Sequence, residues 1–350
     1  MTDRPEQQVS IPVTALPPWS LRRVGLLAAS GKDTAQLGAL AIASHNDRRM
    51  TDVTAPEDRT VVTEEPQVGF QSSGAIRSGA AGGSSVVSAV RIGLVLSGGG
   101  LRGASHVGVL QHLVEHDIPI DVIVGSSAGA VIAAYYAAVG LTIDQLIQDA
   151  HHFRGRHLLA HSLNVRFGGR RDRVLSRLSG PIPERLAQLE GAGFDRLHHN
   201  VCGVGIVCHD VVTRRPCYFA TGADRGVRLS DAVRASASLP FLLPPIPVKS
   251  PSDHTTLLLT DGGVSDCLPV AFAQRSPLAA THLIVSDCRQ FSCQMPPAAG
   301  PVVYVQPRLP SVGTLWAPAS TLANAVRDGR RAVTAEMLHT IRGWTRHVAT

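Results

Sequence analysis

An α/β fold with a parallel central sheet and helical crossovers is what this sequence predicts, on three observations. Short apolar runs alternate with helix-periodic segments from Val90 onward. The first two runs each end in a Gly-rich turn that opens directly into a helix. The chain's 350 residues, 44% hydrophobic and 17% charged, suit one large α/β domain with an appendage.

Ahead of Val90 the pattern is different. Pro5, Pro12 and Pro17-Pro18 precede an Asp/Glu/Thr/Pro-rich stretch, Thr51 to Gln67, and a Gly/Ser/Ala-rich one, Gln71 to Ser85. Residues 1–89 are therefore expected to be a largely disordered N-terminal extension, with one short helix around Ala35–Ala43. Order then begins abruptly. Arg91 to Ser97 reads as a buried strand, and Gly98 to Gly103 as a turn. Ala104, Val107, Leu110 and Val114 follow at helical spacing, until Pro119 blocks continuation. Ile120 to Val124 is a second strand, and Ser127 to Val139 a second helix.

Further on, Val204–Cys208 and Cys217–Ala220 read as strands around a Thr213–Pro216 turn. Ser230 to Ser238 reads as a helix capped by Ser230. Leu257–Thr260, His282–Ser286 and Val302–Val305 are three more strands. Residues 151–200 interrupt the alternation and are expected to form a helical cap or lid inserted into a domain spanning 90–306. Over 307–350, Leu322, Val326, Val333, Met337, Ile341 and Trp344 form the apolar stripe of one amphipathic C-terminal helix packed on that domain.

Net charge is +6, and its placement is uneven. Residues 1–90 are near neutral, whereas 151–180 carries Arg154, Arg156, Arg166, Arg170, Arg171, Arg173 and Arg177 against the single acid Asp172. Such a segment suits an anionic membrane surface or is a solvated face. Nucleic acid is not expected as a partner, because aromatics, at 4%, are too sparse to interleave with bases. Six cysteines without a C-x-x-C pair, and histidines adjacent rather than at ligand spacing, predict no metal site, no disulfide framework and no cofactor. Arg22-Arg23 opens a stretch that Lys32 and Asp33 cut too short for an export signal. With no membrane-spanning run either, a cytoplasmic or peripheral-membrane location is expected.

Three motifs carry chemistry. Gly125-Ser126-Ser127-Ala128-Gly129 is a G-x-S-x-G placed after a strand and before a helix, the context of a nucleophile elbow. Small neighbours permit a sharp turn that lifts the Ser127 hydroxyl above the sheet at a helix N-terminus. Gly98-Gly99-Gly100-Leu101-Arg102-Gly103 has the letters of a dinucleotide loop. The next strand, however, ends in Gly125 rather than in the acid that such a site requires, so that reading fails. Three adjacent glycines instead expose backbone N–H groups, as an oxyanion site requires, and Arg102 adds a positive charge beside them. Asp261-Gly262-Gly263 follows an apolar strand, so Asp261 is expected at the same edge of the sheet as Ser127; Asp-Gly pairs also cap ordinary turns.

Together these motifs resemble, in order and in strand context, the three signatures of the patatin-like phospholipase family. Ala235-Ser-Ala-Ser-Leu-Pro-Phe-Leu-Leu-Pro-Pro245 is similar to that family's segment ahead of the aspartate strand. One departure is Cys267, which stands where the family usually has Asn and bears on loop rigidity. The resemblance covers residues 90–306. It implies a three-layer α/β/α fold with a mostly parallel sheet, and a lipid acyl hydrolase of phospholipase A type. It also implies Ser127 as nucleophile, Asp261 as proton acceptor and the N–H groups of Gly98 to Gly100 as the oxyanion site. The substrate implied is a lipid or phospholipid. Leu239 to Val248 is able either to line an acyl groove or to pack as a rigid loop beneath the sheet.

Two rival readings differ in mechanism. A Ser–His–Asp esterase would use His339 or His347 as base, in a permitted chain order. A non-catalytic lipid-binding module would use the arginine segment alone.

Overall fold

The computed structural model describes residues 89–346 apart from 167–176, 224–225, 250–254, 291–294, 312–316 and 319. The expected N-terminal extension, its short helix, and Arg170, Arg171, Arg173 and His347 lie outside the described residues, as does the Arg166 side chain.

Among the described residues, eight strands form one mixed sheet. They are β1 (Ile92–Leu96), β2 (Val122–Ser126), β3 (Gly203–Asp210), β4 (Arg215–Ala220), β5 (Ile246–Lys249), β6 (Thr256–Asp261), β7 (His282–Ser286) and β8 (Val302–Val305). The order is β5-β6-β3-β2-β1-β7-β8, with β4 also on β3. The five from β3 to β8 run parallel. Continuous apolar runs such as Ile92-Gly-Leu-Val-Leu96 occupy the centre, where both faces are covered.

The helices are α1 (Ala104–Glu115), α2 (Ala128–Ala134, continued by a π turn to Val139), α3 (Ile143–His152), α4 (Gly155–Arg166), α5 (Ile182–Glu190), α6 (Leu229–Ser236), α7 (Val270–Gln274), α8 (Thr321–Ala332) and α9 (Ala335–Arg346). One face of the sheet packs Ile92, Leu94, Ile123 and Ile206 against residues of α1, α2, α6, α8 and α9. The other packs Val95, Val124, Val207 and Val285 beneath α7 and loops. The fold is thus mixed α/β with a mostly parallel central sheet flanked by helices, one flank thin.

Several local expectations need correction. Asp261 does end a strand, but β6 runs antiparallel to β3. β3 pairs β4 along one edge. Along the other it takes β2 at Gly203–Val207 and β6 at Cys208–Asp210. β2 and β6 therefore meet end to end, their C-termini facing, and this junction brings Ser127 and Asp261 together. α6 starts after Arg228, so Ser230 lies inside the helix, its hydroxyl donating to Glu190 at 3.3 Å. The expected C-terminal helix is two, α8 and α9. Val333 is extended between them, and Thr334 Oγ1 accepts the Met337 N–H at 3.2 Å. α1 buries Leu113 rather than Val114. It crosses α8 where Gly108 faces the Val326 carbonyl and Gly329 faces that of Ser105, too close for any side chain at either glycine. β5 was not anticipated, because prolines fill its segment; it survives as an edge strand.

Candidate active site

Ser127 sits on the turn between β2 and α2 with φ 52° and ψ −121°, a conformation that L residues rarely adopt. The flanking glycines make the turn possible. A side chain on Gly125 would strike the backbone of Gly129, and one on Gly129 the backbone of Leu96 in β1. The Ser127 N–H donates to Ser236 Oγ of α6 at 2.9 Å, and α2 begins at the next residue. The strained turn is thus clamped from two sides, and the hydroxyl points where a helix N-terminus favours negative charge.

Asp261 receives that hydroxyl. Ser127 Oγ donates to Asp261 Oδ2 at 2.6 Å, and the Gly263 N–H donates to Oδ1 at 2.8 Å. The backbone behind is pinned by Ser238, whose carbonyl accepts from the Asp261 N–H at 3.2 Å and from Thr260 Oγ1 at 2.7 Å. Both Ser127 and Asp261 are buried. Burial pushes the Asp261 carboxyl up to about 6, against the opposing effect of its two hydrogen bonds. The pair is thus a hydroxyl held on a carboxyl group of raised basicity, within reach of a short proton transfer.

The Gly-rich loop lies alongside, with its expected roles redistributed. The Gly98 N–H already donates to the Cys267 carbonyl at 2.8 Å, so it is unavailable to a ligand. Among the described residues, those of Gly99 and Gly100 have no acceptor. Arg102 departs further from expectation. Its guanidinium donates to the carbonyls of Cys288 at 2.8 Å, Arg289 at 3.1 Å and Pro310 at 2.9 Å, away from Ser127. It buckles the loop to two later segments instead of facing a reacting oxygen. Beneath Gly99 lies Cys288, whose thiol is 3.3 Å from His106 Nε2. Cys267, the residue that departs from the resembled pattern, packs against Gly98 and supplies the carbonyl that anchors it.

A cavity of about 350 Å³ opens beside Ser127. Gly100, Leu101, Gly103 and Ala128 share its wall, whereas Gly98, Gly99 and Arg102 do not. The remainder is mostly apolar: Val131 and Tyr135 from α2 and its extension, Leu146 from α3, Val165 from α4, Leu186 from α5, and Leu239, Leu243 and Ile246 ahead of and within β5. The 239–248 stretch therefore does line a groove. Arg185 of α5 holds Asp149 of α3 through two bonds of 2.7 and 2.9 Å, fastening the helices that cover the cavity.

Of the expected base histidines, His339 is exposed on α9. Among the described residues no histidine bonds to Ser127 or Asp261. No group of three His, Cys, Asp or Glu side chains there is arranged to hold a metal. Of the seven arginines, the side chains of Arg154, Arg156 and Arg177 are described; Arg154 donates to the carbonyls of His151 and Phe153 at 2.6 Å each. Sequence reasoning passed over Ser236 and the carbonyl of Cys267. Ser236 lay in the Ser-rich segment Ala235–Ser238, a signal that was visible; nothing marked the Cys267 carbonyl.

Residues 94–274, just over half of the chain, match the family described as patatin-like phospholipase. An uncharacterized NTE family protein of Mycobacterium tuberculosis is 32% identical over 184 residues, 51% of this chain and 27% of that protein. The lysophospholipase NTE1 of Candida albicans is 30% identical over 208 residues, 58% of this chain and 13% of that protein. The chain thus spans well under a third of either relative. Among solved structures, VipD of Legionella pneumophila superposes with a TM-score of 0.43 at 14% identity, over 71% of this chain and 67% of VipD.

Proposed function

The chain belongs to the patatin-like phospholipase family, and on that premise we propose that it is a serine acyl hydrolase of phospholipase A type, cleaving carboxylic ester bonds of lipids. The observation that carries this reading is the 2.6 Å hydrogen bond from Ser127 Oγ to Asp261 Oδ2 at the wall of an apolar cavity. The cavity suits an acyl chain, being apolar with few polar groups. The pair suits ester cleavage without a histidine.

The geometry supports the following steps. Ser127 Oγ attacks the ester carbonyl carbon while its proton passes to Asp261 Oδ2. The carbonyl electrons move onto oxygen, and the resulting oxyanion is held by the Gly100 N–H, which borders the cavity, with that of Gly99 beside it and the N-terminus of α2 behind. Collapse breaks the bond to the alcohol oxygen, which takes the proton from Asp261 and leaves. Water then gives a proton to Asp261 and attacks the acyl-enzyme. The proton returns to Ser127, and the fatty acid departs. Hydroxyl, carboxyl, amides and water suffice, so the scheme calls for no cofactor.

The raised basicity of Asp261 supports this scheme, since a carboxylate at its ordinary value is a weak base for a serine hydroxyl. The substrate class follows from the cavity and the family, and the enzyme meets lipid at a membrane surface through the arginine segment that includes Arg154, Arg156 and Arg177. No described helix is long and apolar enough to cross a membrane.

The test is hydrolysis of a panel of phospholipids and lysophospholipids by wild type, Ser127→Ala and Asp261→Asn, with fluorophosphonate labelling in parallel. Wild type should release fatty acid and be labelled on Ser127, and both variants should fall to background. Unlabelled, inactive wild type that still binds lipid would instead make this a lipid-binding module.

A further inference from the structure

Between α6 and β5 the chain runs Leu239-Pro-Phe-Leu-Leu-Pro-Pro-Ile246, and its residues divide by direction. Leu239, Leu243, Pro244 and Ile246 border the cavity beside Ser127. Phe241, at the tip of the turn between them, is 89% exposed and has φ +69°, a conformation in which a bulky residue is strained. Pro240, Pro245 and Pro247 of the same segment are exposed as well, so Phe241 is not its lone exposed apolar residue. From α4, Val165 both borders the cavity and is 46% exposed, and Leu163 is 37% exposed. Both segments that border the cavity here thus also expose apolar side chains.

The charged side chains on these two segments have one sign. Residues 151–166 hold three arginines and no acid; residues 239–249 hold Lys249 and no acid. Asp149 of α3, which borders the cavity, is bound by Arg185. Segments that expose apolar side chains and carry cations complement a bilayer whose surface is anionic and whose interior is apolar.

We propose that this rim is the membrane-docking surface: Phe241 enters the acyl region of an anionic bilayer, Val165 and Leu163 lie against it, and Arg154 and Arg156 meet the headgroup phosphates. A lipid chain then passes from bilayer to cavity without crossing water. This names the surface on which the proposed hydrolase finds its substrate, and so rests on that reading. Phe241 does not border the cavity, so its replacement leaves the chemistry intact.

The experiment is vesicle flotation of the full chain as wild type and Phe241→Asp, with phosphatidylcholine vesicles lacking or containing phosphatidylglycerol. Each is also assayed on the water-soluble ester p-nitrophenyl butyrate. Wild type should float only with the anionic vesicles and detach as salt is raised. Phe241→Asp should bind them at least about tenfold more weakly, the loss expected when an inserted phenyl ring is replaced by a charge. Its hydrolysis of the soluble ester should match that of wild type. Phe241→Trp should give a blue-shifted emission on the anionic vesicles alone. Equal binding by Phe241→Asp, or no wild-type binding to either vesicle, would overturn the proposal. A wild type that floats yet cleaves neither soluble ester nor lipid keeps the docking surface and removes the hydrolase reading, so the two failures are separable.

Discussion

A carboxyl group buried with no cation beside it is easier to protonate than one in water, and Asp261 is such a group. Its value rises from the ordinary 3.8 to about 6, chiefly through burial. Because the proposed base must be ionised, kcat/KM for lipid hydrolysis should fall as pH drops through about 6. The same shift affects stability. Between 3.8 and about 6 the folded state holds a proton that the unfolded state has released, so stability declines as pH rises through that window. Above it the site costs on the order of 3 kcal/mol. Asp261→Asn should therefore be inactive yet melt at the same or a higher temperature than wild type at neutral pH, a comparison that calorimetry makes directly. Ser127 and Asp261 were legible in the sequence because each sits in a short motif at the end of an apolar run. Ser236 had only the Ser-rich segment around it as a signal and the Cys267 carbonyl had none, since they act through contacts 109 and 169 positions along the chain from their partners; the carbonyls that hold Arg102 are as remote.

Helices and strands were legible to different degrees. The parallel strands and the helices after β1 and β2 have apolar runs and glycine turns that announce them. The direction of β6 was not legible, because an apolar run looks alike in either direction; only pairing with β3 decides that β2 and β6 meet end to end. The division between α8 and α9 had a signal in Thr334, a cap residue overridden by the unbroken apolar stripe. The crossing of α1 and α8 depends on Gly108 and Gly329, each facing a carbonyl of the other helix. Gly329→Ala should force the helices apart and cost about 1–3 kcal/mol, lowering the melting temperature with little change in soluble-ester turnover. Thr142 and Gln145 form a reciprocal cap at the start of α3, and Thr142→Ala should cost about 1 kcal/mol.

At the scale of the molecule, the cavity is a joint product of the sheet's elbow and the helices α3, α4 and α5, which is why no single stretch of sequence disclosed its shape. Leu186 lines it from α5. Leu186→Trp should narrow the acyl path, lowering kcat/KM for long-chain lipids by about tenfold or more while sparing short esters, a selectivity typical of filling an apolar pocket. The account's central claim is that a lipid acyl group becomes covalently attached to Ser127 with Asp261 as the base. Rapid acid quench during lysophospholipid turnover, followed by peptide mass spectrometry, measures this directly. Wild type should carry one acyl group on the peptide containing Ser127, and Asp261→Asn none. Turnover with no adduct on Ser127, or an adduct on another residue, would contradict it.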